Sequence, residues 1–211
     1  MILPGFPFAG GSGPEVIYVG YASSSSGSAI TIPSSAQAGD VAVLFDTAIG
    51  SFSDQPVSVV PSGWTQIGSE LVASSNAIKS IASRKVLASG DPGASVTGMS
   101  GSVVVDKVML VFRASYGSWG APTSVNEQSS TAPSNQTVAA ASVPSVVIGF
   151  GAANVDVVLT MSTGEDGMVD FGNRKFGYKL HQSARPSTTV SLSGTSLSWA
   201  MLRSFAIPLS I

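Results

Sequence analysis

Apolar positions in this chain come in short runs, each bounded by glycine, proline or serine. The clearest run occupies residues 40–48, introduced by Gln37-Ala38-Gly39 and closed by Gly50, and its centre, Val41-Ala42-Val43-Leu44-Phe45, is apolar at every position. A half-exposed strand alternates, whereas an unbroken apolar run suits a strand covered on both faces. A second run of this kind, residues 146–153, follows the turn Val143-Pro144-Ser145. These two stretches are expected to be central strands.

Shorter strands are expected around them. Residues 15–21 set Val16, Tyr18 and Gly20 against Ile17, Val19 and Tyr21, residues 29–32 stop at Pro33, and Pro61-Ser62-Gly63 turns Trp64 into a strand as a core plug. Residues 77–88 read as a strand, with a helical turn at 76–83 as the alternative. Gly90-Asp91-Pro92-Gly93 is a turn, and strands follow at 94–99 and 103–113. Residues 114–135 carry no strand pattern and are expected to form a long surface loop or a linker between halves. The pattern resumes at 136–139 and 155–161. Thr163-Gly164-Glu165-Asp166-Gly167 is expected to close a hairpin onto residues 168–171, because Asp-Gly readily takes a positive φ. Strands at 175–182, 188–192 and 198–209 complete an all-β chain.

Segment 84–99 parallels segment 178–192. Either short serine-rich strands resemble each other by composition, or the chain carries an approximate internal repeat. A repeat favours one intimately packed sandwich, residues 15–211, over two independent domains, because neither half alone buries a sufficient core.

Composition supports this picture and removes several function classes. Hydrophobic residues make up 44% and charged residues 10%, with 23 glycines and 12 prolines, as expected of many short strands joined by small-residue turns. A net charge of -2 without any Lys or Arg run gives no footprint for nucleic acid. The apolar runs fall far short of the roughly 18–20 residues a membrane-spanning helix needs, so no membrane insertion is expected. Residues 1–13 lack a basic start and are broken by Pro4 and Pro7, so they are not read as a secretory signal. There is no cysteine, hence no disulfide and no thiolate, which fits synthesis in a reducing cytoplasm. A surface so poor in charge suits packing into an assembly, and a homo-oligomer is expected.

Chemistry-bearing constellations are scarce. The single histidine, His181, stands in the strand-like Lys179-Leu180-His181-Gln182 and is read as a strand residue, not as a base. Gly98-Met99-Ser100-Gly101-Ser102 lacks the last glycine and the helix of a nucleophile elbow. Glu165 and Asp166, joined by Asp156 or Asp170, offer oxygens for calcium, but a turn explains the same residues. No catalytic residue, metal ligand or cofactor site is assigned.

Two stretches are candidates for contact with partners. Residues 1–14 form an extended arm in which Ile2, Leu3, Phe6 and Phe8 are apolar among prolines and glycines. The arm is either a disordered start or a segment that orders on a neighbouring subunit. In the loop 114–135, Tyr116 and Trp119 either face a glycan or pin the loop to its own sandwich.

Several landmarks together carry a family likeness. Ala38-Gly39-Asp40-Val41-Ala42-Val43, Pro61-Ser62-Gly63-Trp64-Thr65, Arg84 through Pro92 with its Ala88-Ser89-Gly90-Asp91, and a strand ending in Arg113 resemble a β-sandwich module of tailed-bacteriophage virion structural proteins. Arg203-Ser204-Phe205-Ala206-Ile207-Pro208-Leu209 is similar to the last strand of such a module. The resemblance implies a jelly-roll-like antiparallel β-sandwich. It further implies a non-enzymatic virion role, as a capsid decoration or head spike or as a tail appendage, assembled onto other virion proteins. The alternative is a carbohydrate-binding adhesin or receptor-binding module that contacts host surface polysaccharide.

Overall fold

The computed structural model describes residues 15–25, 29–49, 57–73, 78–100, 104–171, 173–195, 197 and 199–210. The arm residues Ile2, Leu3, Phe6 and Phe8 lie outside that set. The described residues form antiparallel strands and no helix. The first half contains β1 (Val16–Ser24), β2 (Ala29–Thr31), β3 (Val41–Ile49), β4 (Thr65–Ala73), β5 (Ile78–Val86), β6 (Ser95–Thr97) and β7 (Val104–Ala114). The second contains β8 (Ser118–Trp119), β9 (Thr123–Ser130), β10 (Gln136–Val138), β11 (Ser145–Ala153), β12 (Val158–Met161), β13 (Gly167–Asp170), β14 (Arg174–His181), β15 (Thr188–Ser193) and β16 (Ala200–Ser210).

The two halves follow one path. The large sheet of the first half has the order β1-β7-β3-β5-β4; in the second half β9 pairs with β16, and the sheet continues through β11 and β14 to β13. Beside these lie two small sheets, β2-β6 and β10-β15-β12. With the second half counted from β9, the first strand of each half lies beside the last and the second beside the next to last, the jelly-roll pattern. Even an irregularity recurs. The ladder of β1 with β7 shifts between Tyr18 and Gly20, and that of β9 with β16 shifts between Ser204 and Ala206, each with one extra residue on the first strand. The parallel between segments 84–99 and 178–192 is the parallel of β5–β6 with β14–β15.

The large sheets stack face to face, giving a β-sandwich whose central core draws on both halves: Val43, Phe45, Leu110 and Phe112 from one, Ile148, Phe150, Phe176 and Phe205 from the other. Phe45 and Phe150 are the inward aromatics of the two central strands. Their rings meet at 5.5 Å, and Phe45 also touches Phe176 and Phe205. Such aromatic pairs contribute about 0.5–1.5 kcal/mol each beyond area burial. The small sheets cover the outer faces: Ile30 and Val96 over Ala42, Leu44, Met109 and Val111, and Leu159, Val190 and Leu192 over Val147 and Leu202. This four-layer order explains why β3 and β11 lack alternation, since both of their faces are covered.

Two expectations need correction, and one alternative is removed. Residues 114–135 are not one loop, because they contain β8 and the eight-residue β9, whose sequence Thr-Ser-Val-Asn-Glu-Gln-Ser-Ser hides a strand behind polar residues. The turn at 163–167 closes no hairpin. It carries the chain from β12 in a small sheet to β13 in a large one, and the hairpin partner of β13 is β14. Positive φ falls on Gly164, whereas Gly167 is small because a Cβ there would lie 2.4 Å from the Tyr178 hydroxyl oxygen. Residues 78–86 are strand throughout, which leaves no room for a helical turn there.

Candidate functional site

The landmarks scattered along the first half meet at one end of it. Asp40 precedes β3 and receives Arg113 from the end of β7 through Nε and Nη2, both at 2.8 Å, while its Oδ2 also accepts the Gln37 N–H. This paired geometry holds Arg113 more firmly than a single contact would. It also raises the Arg113 pKa, the hydrogen bonding of Arg113 to Asp40 being the largest cause. The backbone of Gly39 and Asp40 exchanges hydrogen bonds with Leu87, and the Gly39 carbonyl accepts the Trp119 indole N–H at 3.1 Å. Beyond Leu87, Asp91 accepts Lys85 Nζ at 2.7 Å and the Ala88 N–H at 2.6 Å. Those two donors hold the Asp91 carboxyl below its usual range.

Next to this knot lies a cleft of about 240 Å³. Trp64 and Lys85 form one side, Ser95, Val96 and Thr97 of β6 the other, and Asp91 stands at its rim. Trp64 is buried in the outer core, as its sequence context implied.

Three further polar groups are buried in the sandwich. Arg203 is fully buried on the inner face of β16, in line with Met201 and Phe205, and ion-pairs with Glu127 of β9 at 2.9 Å while donating to the Ser69 carbonyl. Its Nε and Nη1 have no partner. Burial pulls its pKa down to about 10, against the pull of Glu127, so it stays charged at neutral pH. Glu127 in turn accepts the Ser69 N–H, seated where Gly68 carries no Cβ, since one there would lie 2.1 Å from Oε1. On the outer face of β3, Asp46 pairs with Lys107 directly across the ladder at 2.6 Å, and the Met99 backbone completes the pair with its N–H to Asp46 and its carbonyl to Lys107. Burial raises the Asp46 carboxyl pKa, with Lys107 acting against it. Arg174 and Asp106 form an ion pair across the two sheets.

The residues proposed from sequence are dispersed. Trp119 is only 8% exposed and part of the central core, so it pins its segment to the sandwich and is not a glycan platform. Tyr116 is 71% exposed. His181 lies at the end of β14 with a buried, unpartnered Nε2. Its pKa is lowered by burial and then by Arg185 and Lys179, with Asp166 opposing, so it is neutral at neutral pH. Glu165 accepts the Met161 N–H, and Asp166 accepts Lys179 and the Leu180 N–H, so both carboxylates serve the turn. Among the described residues no group of three or more His, Cys, Asp and Glu is placed to hold a metal ion.

Sequence reasoning missed the buried Arg203 and the Asp46–Lys107 pair. A signal existed for the first: Met201, Arg203, Phe205, Ile207 and Leu209 share one period-two face. Comparison with known proteins finds no family model, no curated protein and no solved structure that matches the chain. The chemistry of the site therefore rests on its geometry, and what that geometry does is fasten strands together.

Proposed function

We propose that the chain is a non-enzymatic structural subunit of a bacteriophage virion, a capsid decoration, head spike or tail appendage that assembles with further copies and with other virion proteins. The observation that carries this reading is the convergence at the Asp40 corner. Gly39-Asp40, Ala88-Ser89-Gly90-Asp91 and Arg113, far apart in sequence, meet there as two ion pairs and their backbone bonds, with Pro61-Ser62-Gly63-Trp64 alongside. The motifs behind the family likeness thus act as one structural unit, as residues that define a scaffold do. A surface with few charges agrees with a protein that works packed among partners.

Mass spectrometry of particles purified by density gradient from a producing bacterium tests the proposal. The chain is expected at a fixed ratio to the major capsid protein through successive gradients. Its absence from particles, with the protein left in the cleared lysate, overturns the reading. The glycan-binding alternative loses Trp119 as a stacking surface and retains only Tyr116 of the two proposed aromatics.

A further inference from the structure

The two halves can be laid on one another from the matched inner-face aromatics Phe45 and Phe150. Counting back five positions along β3 and β11 sets Asp40 against Ser145. Across the ladders Val41 faces Val86 and Phe112, and Val146 faces Leu180 and Ile207. Lys85 therefore corresponds to Lys179, Leu87 to His181 and Arg113 to Pro208. Asp91-Pro92 corresponds to Arg185-Pro186, each starting four residues further on.

The charges at the two corners do not correspond. In the first half two carboxylates, Asp40 and Asp91, pair with two cations, Arg113 and Lys85. In the second half the carboxylate positions hold Ser145 and Arg185. Lys179 pairs instead with Asp166, from the turn before β13, at 2.7 Å. Arg185 is left without an acid: it is only 4% exposed, and burial alone lowers its pKa. Among the described residues its side chain makes one hydrogen bond, from Nε to the Ser145 hydroxyl at 2.9 Å, and Nη1 has no partner. Of the chain's acidic side chains only Asp54 lies outside the described residues. A buried charge in this condition is destabilising.

A second unsatisfied atom stands beside it. His181 lies directly across the β11–β14 ladder from Ser145, on the same face, and its Nε2 is buried without a partner. Burial, then Arg185 and Lys179, hold its pKa down, and only Asp166 opposes them. The residue is half-buried, so solvent reaches the corner along it.

We infer that this corner is a site for a small oxyanion of the sulfate or phosphate class, held by Arg185 and His181 over the Ser145 hydroxyl. Such an anion supplies the charge that Asp40 and Asp91 supply in the first half. A guanidinium matches two oxygens of a tetrahedral anion, and an imidazole N–H adds a donor. The Ser145 hydroxyl accepts from Arg185 and keeps its own hydrogen to give. The site goes beyond the virion reading and does not depend on it.

His181 is the only histidine, so a single imidazole signal reports on the site. Its titration is followed by NMR in sodium sulfate and in sodium chloride of equal ionic strength. The midpoint is expected to rise by at least ~0.5 pH unit in sulfate, because a bound dianion favours the imidazolium. Thermal unfolding should show a gain in Tm that saturates with sulfate. Two variants separate binding from the general stabilisation that excluded sulfate gives any protein. Arg185→Gln removes the guanidinium. Ser145→Asp places a carboxylate of the chain's own beside Arg185, where Asp40 stands in the first half, and so fills the site while keeping the fold. In both variants His181 is expected to stop responding to sulfate, and the saturating part of the Tm gain is lost. An identical His181 midpoint in the two salts, or an equal shift in the original protein and in Ser145→Asp, overturns the inference and leaves the corner to ordered water. The measurements use purified protein, so their failure is separable from failure to find the chain in particles.

Discussion

The Arg203–Glu127 pair allows a prediction in which the two partners behave unequally. Arg203 is completely buried, and only Nη2 finds partners, namely Glu127 and the Ser69 carbonyl. Glu127 is partly exposed and keeps the Ser69 N–H whatever happens to the arginine. Glu127→Ala therefore strands a guanidinium in the core across the ladder from Phe150, and removal of one member of a buried pair costs about 3–5 kcal/mol. For a chain of this length that corresponds to a fall in Tm of about 6–20 °C. Arg203→Met instead exchanges an incompletely bonded charge for an apolar side chain of similar length, in line with Met201 and Phe205. Replacing buried ions by hydrophobic groups is often neutral or stabilising, so a change within about 1 kcal/mol is expected. The double variant should recover most of the loss caused by Glu127→Ala. Urea unfolding of the four proteins, analysed as a double-mutant cycle, measures all these terms. If Arg203→Met costs as much as Glu127→Ala, or if the two losses simply add, the argument from incomplete satisfaction of Arg203 is wrong.

Three other outcomes follow from the same geometry. Trp119→Ala should lose about 3–5 kcal/mol by deleting a core aromatic, while Tyr116→Ala should stay within about 0.5 kcal/mol, both read by thermal unfolding. Gly151→Ala places a Cβ 2.3 Å from Leu192 Cδ1 and should destabilise by about 1–3 kcal/mol, measured by urea unfolding. The folded-state pKa of Asp91 is lowered by Lys85 and the Ala88 N–H; burial raises that of Asp166, but Lys179 and the Leu180 N–H outweigh it and lower it overall. Their stabilising contribution is present above the unfolded carboxylate value of about 3.9 and is lost as pH falls through the folded values. Stability measured from pH 6 downward should therefore decline below about pH 4, and Asp91→Asn should flatten that decline.

What the sequence disclosed depended on whether burial was written locally. Residues 41–45 and 146–153 are apolar on both faces, so β3 and β11 could be read without knowing their neighbours. The parallel of β5–β6 with β14–β15 was likewise legible, because turn chemistry and strand pattern sit within one segment. β9 was not legible. It takes its place from backbone pairing with β16 and from Glu127 reaching Arg203, a partner far along the chain. Trp119 is buried by a carbonyl 80 residues away and by the central core, so its local setting among Ser and Gly left both a glycan-facing and a sandwich-pinned placement open. The turn at 163–167 shows the same limit: Asp-Gly is a valid local signal, but which strands it joins is decided by the sheets.

The outer layers of the two halves differ, and the difference has a steric cause. On the outer side of β11 stand Gly149 and Gly151, and on β14 Gly177, so Val190, Leu192, Leu159 and Met161 press directly onto the backbone of the large sheet. The corresponding face of β3 carries Leu44 and Asp46. Asp46 is occupied with Lys107 and the Met99 backbone, and the chain there runs so close that Gly98 admits no Cβ, since one would lie 2.1 Å from the carboxylate. An outer layer held by a buried ion pair cannot settle as one resting on glycine does. Among the described residues, the first half therefore carries the two-stranded β2-β6 layer with Trp64 beside it, where the second has the three-stranded β10-β15-β12.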